Sequence, residues 1–455
     1  MTKRTLIRGG HVLTVDPALG DLPKGDVLIE DGNIAAVQPE ISADAEVIDA
    51  DGFIVIPGFV DTHRHTWEAA IRNVAPDATL DSYFVEILDT FAPHYRAEDV
   101  YNSNLAGSLE CLSAGITTLV DWSHINNTPE HPDAAIQALQ ETGIRSVYAY
   151  GSANTSLADY WFESKIVVPA DDVRRVRDKY FSADDGLLTM ALATRGPGFC
   201  TDDVVRAEWG LARELGIPVT LHAGMGRLAG RFGMVKQLHD LGLLAAGDTF
   251  IHCCYFSDEE WQMVADSGGT ISIAPQVEVQ MGHGWPPMLK AMEYGLRPGL
   301  SIDVVTTVPG DMFTQIRAAF GADRARVNAV YWERNEPAPD DMLTARQMLE
   351  IATRNGAHVA GLESRTGSLT PGKRADVVLI DARALNVAPV HDATAAVTLS
   401  ADVSNVDTVI VDGVVRKRGG KLLADIDKAR QLVESSRDYL VGQVAAKKAA
   451  GAPAE

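Results

Sequence analysis

The stretch Ile54-Val55-Ile56-Pro57-Gly58-Phe59-Val60-Asp61-Thr62-His63-Arg64-His65 decides how this chain is read. Leaving out Pro57 and Gly58, its first positions are apolar and mostly β-branched, which suits a strand covered on both faces. Such a strand delivers His63 and His65 to its carboxyl end. Side chains two apart on a strand point the same way, so both imidazoles can reach one metal ion while Arg64 points elsewhere. A His-x-His pair alone is weak evidence, because histidines also serve as hydrogen-bonding groups at core edges. Directly behind an apolar strand, the pair favours a metal.

Working outward, residues 57–359 alternate helical and strand-like segments. Positions 96–113 have helical periodicity and stop before Gly115, after which Ile116-Thr-Thr-Leu-Val-Asp-Trp122 reads as a second strand. Further strands are expected at 145–150, 188–194, 218–221, 249–252, 270–274 and 297–302, which makes eight with the first. Strands alternating with helices predict right-handed parallel units, and eight of them predict a closed (β/α)8 barrel with its active site at the carboxyl ends of the strands. Before the barrel, residues 5–52 hold short Val- and Ile-rich runs separated by Asp-Gly and Gly-Gly turns, the pattern of hairpins. Runs of the same kind return at 375–381, 395–399 and 406–416. The fold class expected is therefore α/β, a TIM-type barrel with a small β-sandwich formed from both chain ends. The divisions are 1–56 and 360–425 for the sandwich, 57–359 for the barrel, and 426–455 for an amphipathic C-terminal helix and tail.

The Pro-Gly-Phe-Val-Asp-Thr-His-Arg-His segment resembles the first barrel strand of the metal-dependent amidohydrolase superfamily, in particular its cytosine deaminase, guanine deaminase and triazine hydrolase branch. Gly367-Ser-Leu-Thr-Pro-Gly-Lys-Arg-Ala-Asp-Val-Val resembles that family's return into the sandwich, and Ala352-Thr-Arg-Asn-Gly-Ala its last barrel-side helix. The resemblance runs from about Leu6 to Asp425. It implies one metal held by His63, His65, a histidine after the fifth strand and an aspartate after the eighth. In this sequence those are His222 in Thr-Leu-His-Ala-Gly and Asp303 in Ser-Ile-Asp-Val-Val. It also implies that His252, after the sixth strand, touches the attacking water or the substrate.

Three neutral imidazoles and a carboxylate suit zinc, with iron(II), manganese or cobalt also accommodated. Such a metal lowers the pKa of water from about 15.7 towards about 7. Asp303 would then accept the water's proton, and His252 would hydrogen-bond the water or the developing oxyanion. Leu192-Ala-Thr-Arg-Gly-Pro carries no lysine after the fourth strand, where binuclear relatives hold a carbamate, so a single divalent metal is expected. One departure matters. Deaminases of this branch place a proton-shuttling glutamate three residues after the fifth-strand histidine, and here that position is Met225. Glu278, just beyond the seventh strand, is the acid that could stand in. Trp67, Trp122, His124, Arg195 and His283 lie near strand ends and are candidates for contact with a planar or ring-bearing substrate.

These features predict a hydrolase that cleaves an amide, urea, carbamate or similar carbon–nitrogen bond in a small molecule. Deaminase or halohydrolase action on an amino-heterocycle is the alternative, and a non-catalytic binding protein on the same barrel stands behind both. Composition agrees: 455 residues, 46% hydrophobic and 22% charged, support a large globular core. A net charge of −22 disfavours nucleic acid and anionic membrane as partners. No apolar run reaches about 18 residues and the first residues lack a signal-like segment, so a cytoplasmic location is expected. The four cysteines form no C-x-x-C framework and read as reduced thiols. The C-terminal helix could pack on its own barrel or join two subunits of a homo-oligomer.

Overall fold

The computed structural model describes residues 3–152, 164–226 and 233–451. Its centre is a sheet of eight parallel strands in sequential order: Phe59–Arg64, Ile116–Ser123, Arg145–Tyr150, Leu188–Thr194, Val219–Ala223, Thr249–His252, Thr270–Ile273 and Gly299–Leu300. The eight strands expected from the alternation are all present. The last is the shortest, because Pro298 has no N–H to pair and the strand begins only after it. The ring closes through the residues that follow. Asp303 N–H donates to the His63 carbonyl at 3.0 Å, and His65 N–H donates to the Asp303 carbonyl at 2.9 Å. Deeper in the barrel, Thr62 Oγ1 donates to the Leu300 carbonyl at 2.9 Å.

The decisive stretch is two strands rather than one. Phe53–Pro57 pairs antiparallel with Val377–Asp381 in a second sheet, whereas Phe59–Arg64 pairs with Ile116–Ser123 in the barrel. Gly58 is the joint. Its N–H reaches the Asp376 carbonyl at 3.0 Å, and a Cβ there would fall 1.9 Å from Thr117 Oγ1, so the chain passes only without a side chain. The second sheet has nine mostly antiparallel strands drawn from both chain ends. It folds around its own apolar core, which includes Ile7, Val27, Ile29, Val55, Val377 and Ile410.

One expected strand is absent. Residues 395–399 lie in a helical turn, Ala393–Ala395 running into Ala396–Ser400. Asp392 caps it by accepting from Ala395 N–H at 2.9 Å, and that cap outweighs the β-propensity of a short Val-Thr-Leu run. The C-terminal helix Ile426–Gly451 packs on the barrel helix Ala97–Ser113, where Asn102 Nδ2 donates to Ser436 Oγ at 3.0 Å and Arg96 lies 3.6 Å over the Tyr439 ring. Among the described residues, no helix is long and apolar enough to cross a membrane.

Candidate active site

Strand pleating turns His63 and His65 into the barrel mouth and Arg64 away from it. The Arg64 guanidinium is buried outside the ring, against Glu110 and, at 3.3 Å, Cys111 Sγ. His222 stands at the end of the fifth strand and Asp303 just past the eighth. His63 Nε2 lies 3.1 Å from Asp303 Oδ1 and 3.2 Å from His222 Nε2, and His65 Nε2 lies 3.4 Å from the same carboxylate oxygen. One ligand atom from each of these four buried residues falls within 4.8 Å of all the others. His65 Nδ1–H donates to the Trp122 carbonyl at 2.9 Å, which leaves the Nε2 lone pair for the centre.

Backbone strain marks the same positions. His252, Cys253 and Asp303 have φ of 74°, 56° and 69°, the left-handed region that β-carbon-bearing residues rarely occupy. Cys253 N–H holds the Ala223 carbonyl at 2.9 Å, and the pair of closure bonds holds Asp303.

Burial decides the charge state. It pushes His63 and His222 well below the ordinary imidazole range, and neighbouring histidines push them further. Burial lowers His65 and His124 as well, and takes His283 down to about 3. All five are neutral at pH 7, the form that binds metals. The donor set therefore fits a divalent cation: lone pairs on three imidazoles and one carboxylate, converging without an intervening Lys or Arg.

A second group adjoins the first. His252 Nε2 lies 3.7 Å from Asp303 Oδ2, and the ring of His283 is 4.6 Å from that of His252. These residues open onto a cavity whose lining also includes His65, His124, His222 and Met225. Met225 places an apolar thioether where deaminases of the resembled branch carry an acid. Trp122 backs the cluster, its ring centroid 4.5 Å from that of His222 and 5.4 Å from that of His65. Trp67 sits further back, donating through Nε1 to His124 Nδ1 at 3.4 Å and packing on Tyr95.

Two further singled-out residues, like Trp67 and Trp122, are not among the described residues lining the cavity. Glu278 does not line the cavity. It is the fourth residue of the short helix Pro275–Gln280, and its Oε1 accepts both from Ala274 N–H at 2.8 Å and from His252 Nδ1–H at 3.2 Å. Burial raises its pKa. Arg195 is buried beside Glu208, 3.4 Å away, and against the Ile166 carbonyl, and is not among the described residues lining the cavity. Conversely, Glu68 and Tyr83 were not anticipated. Glu68 follows His65 in a short helical turn, and its Oε1 accepts from the Tyr83 hydroxyl at 2.6 Å while Oε2 accepts from Thr306 at 3.2 Å. The one sequence signal for it was an acid inside the otherwise apolar run Trp67-Glu68-Ala69-Ala70-Ile71.

Comparison with known proteins follows this geometry. The 5'-deoxyadenosine deaminase of Methanosarcina mazei is 28% identical over 450 residues, covering 96% of this chain and 99% of that protein. The 5-methylthioadenosine/S-adenosylhomocysteine deaminase of Symbiobacterium thermophilum is 30% identical over 423 residues, covering 90% and 93%. Among solved structures, the atrazine chlorohydrolase TrzN of Arthrobacter aurescens complexed with zinc shares the fold, with a TM-score of 0.83 at 24% identity over 95% of this chain and 100% of that one. Residues 54–416 match the sequence model of the amidohydrolase family. The chain belongs to the amidohydrolase family, and it is a hydrolase of that family.

Proposed function

We propose that this protein uses one divalent metal, held by His63, His65, His222 and Asp303, to hydrolyse an acyl carbon–nitrogen bond in a small, ring-bearing, amide-, urea- or carbamate-like molecule. When bound, the metal supplies Lewis acidity, which makes water nucleophilic near neutral pH and polarises a carbonyl. Zinc is the first choice for this donor set. Asp303 presents Oδ1 to the metal cluster and Oδ2 towards His252, so it is placed to take the water's proton and pass it to the leaving nitrogen. His252 directs Nε2 towards Asp303 and hydrogen-bonds the water or the developing oxyanion. Glu278 acts through His252, fixing its ring from behind.

The observation that carries this reading is Met225 in the cavity wall. Deamination of an amino-heterocycle needs a ring nitrogen protonated as water adds, and a thioether carries no proton. Acyl carbon–nitrogen cleavage needs less, because His252 would polarise the carbonyl and Asp303 would handle the proton. The relatives named above support the alternative reading, since both are deaminases of adenosine-type compounds. The deciding experiment compares ammonia release from adenine, guanine and cytosine compounds with turnover of amide and urea panels on metal-loaded protein. Faster deamination would make the alternative the function.

A further inference from the structure

The cavity wall facing the histidines is built largely by one helical segment, Leu80–Tyr83 continuing into Phe84–Asp89. Spacings of three and four residues put Leu80, Tyr83, Phe84 and Leu88 on the cavity side, while Asp81, Val85 and Glu86 are exposed. The first turn of the segment is anchored twice. Leu80 N–H donates to the Met281 carbonyl at 3.0 Å, and the Tyr83 hydroxyl is held by Glu68.

Met281 leads into the loop that carries His283. That histidine is buried, lines the cavity, and has neither ring nitrogen hydrogen-bonded. Its backbone is held in place, because its carbonyl accepts from Gly226 N–H at 2.7 Å. A buried imidazole with both nitrogens unpaired is costly unless a bound molecule completes its bonds.

We infer that the substrate carries an apolar substituent that packs on Leu80, Phe84 and Leu88, and beside its scissile bond a polar group, an N–H or a C=O, that hydrogen-bonds one ring nitrogen of His283. The inference rests on the acyl carbon–nitrogen reading above and names the substrate class for it. A neutral imidazole offers one donor and one acceptor that point in diverging directions, so one of them meets a single N–H or C=O of a urea or secondary amide. On the helix face the one polar side chain among the lining residues, Tyr83, has its hydroxyl held by Glu68, so discrimination along that side comes from apolar area.

The test uses the metal-loaded protein with urea and its N-methyl, N-ethyl and N-propyl derivatives. Dissociation constants are measured by calorimetry and kcat/KM by amine release. Affinity is expected to rise about fourfold per added methylene. His283→Phe, which keeps a ring in the space, is expected to weaken every member about tenfold without changing the dependence on chain length, and His283→Gln to restore part of the loss. A series that is flat or falls with chain length, absence of binding by any member, or wild-type binding by His283→Phe overturns the inference. The expected binding series without turnover overturns the acyl carbon–nitrogen reading and leaves this inference standing.

Discussion

Replacing Glu278 with Gln distinguishes a carboxylate that orients His252 from one that carries a proton. Both of its hydrogen bonds end on Oε1, and Oε2 is buried without a partner. Glutamine keeps an acceptor oxygen at Oε1, so Ala274 N–H and His252 Nδ1–H keep their geometry and only the charge is lost. A hydrogen bond to a charged acceptor is worth about 1 kcal/mol more than one to a neutral acceptor, which is about fivefold in rate. If Glu278 itself transferred the proton, removal would cost about 100- to 10,000-fold. The two roles therefore predict losses at least tenfold apart. The assay is kcat on protein loaded with metal, with bound metal counted by mass spectrometry in wild type and variant. A loss beyond about 100-fold at unchanged metal content would refute the orienting role and return Glu278 to the proton path. Glu278→Ala provides the second arm. It strands two buried N–H groups at about 1–3 kcal/mol each, so both stability and rate should fall further than in the glutamine variant.

Three other outcomes are expected. His222→Ala should lose metal and activity together while circular dichroism still reports the folded barrel, and full metal content in that variant contradicts the ligand assignment. His252→Asn should retain most of the metal and lose about 100-fold or more in rate, measured as kcat beside metal content; loss of the metal instead makes His252 a ligand. The third concerns acid. His63, His65, His124, His222 and His283 all have folded pKa values below the unfolded value near 6.5. Below pH about 6.5 these histidines take up protons in the unfolded metal-free chain that they refuse in the folded one, so their contribution to stability falls as pH drops through the window from about 6.5 to about 3. Each fully refusing histidine adds about 1.4 kcal/mol per pH unit to that slope, and urea unfolding of metal-free protein between pH 7.5 and 5 reads it directly. Buried acids raised by desolvation, Asp61 to about 7 and Asp121 to about 6, oppose that slope, so the histidine share is read as the difference between wild type and His124→Gln, and no difference would show that this imidazole protonates within the fold.

What the sequence revealed and what it hid divide along the range of the interactions involved. The His-x-His strand was legible because period-two alternation and a covered apolar run are local properties. So was the placement of His222, His252 and Asp303 at strand ends, since each closes a short β-rich run. The split of the first run at Gly58 depends on Thr117, which the sequence places far away, and a Pro-Gly pair by itself says only that the chain turns. The run at 395–399 was ambiguous at that length, and the signal that decided it was the capping Asp392. Glu278 is near its expected place, but the direction of its carboxylate is set by a helix beginning at Pro275. The Glu68–Tyr83 pair joins residues whose meeting depends on how the helix at 80–89 folds back over the barrel mouth, which no periodicity encodes.

The bonds that close the barrel also set the geometry of the proposed metal centre. Asp303 is clasped on both sides, its N–H on the His63 carbonyl and its carbonyl on the His65 N–H. That double clasp is compatible with its left-handed backbone at φ 69°, a conformation costing of order 1 kcal/mol that aspartate tolerates better than most residues. The strained backbone carries the carboxylate back over the first strand, where Oδ1 meets His63 and His65 while Oδ2 turns to His252. His252, at φ 74°, is turned in the same manner at the end of the sixth strand. Orientation at this centre therefore resides in main-chain hydrogen bonds between strands one and eight, not in rotamers that a ligand must select. A substitution that loosens the clasp would act on the metal ligands and on the barrel seam together. On the proposed assignment, a metal meets donors already gathered around a common point, and little of its binding energy goes into ordering them.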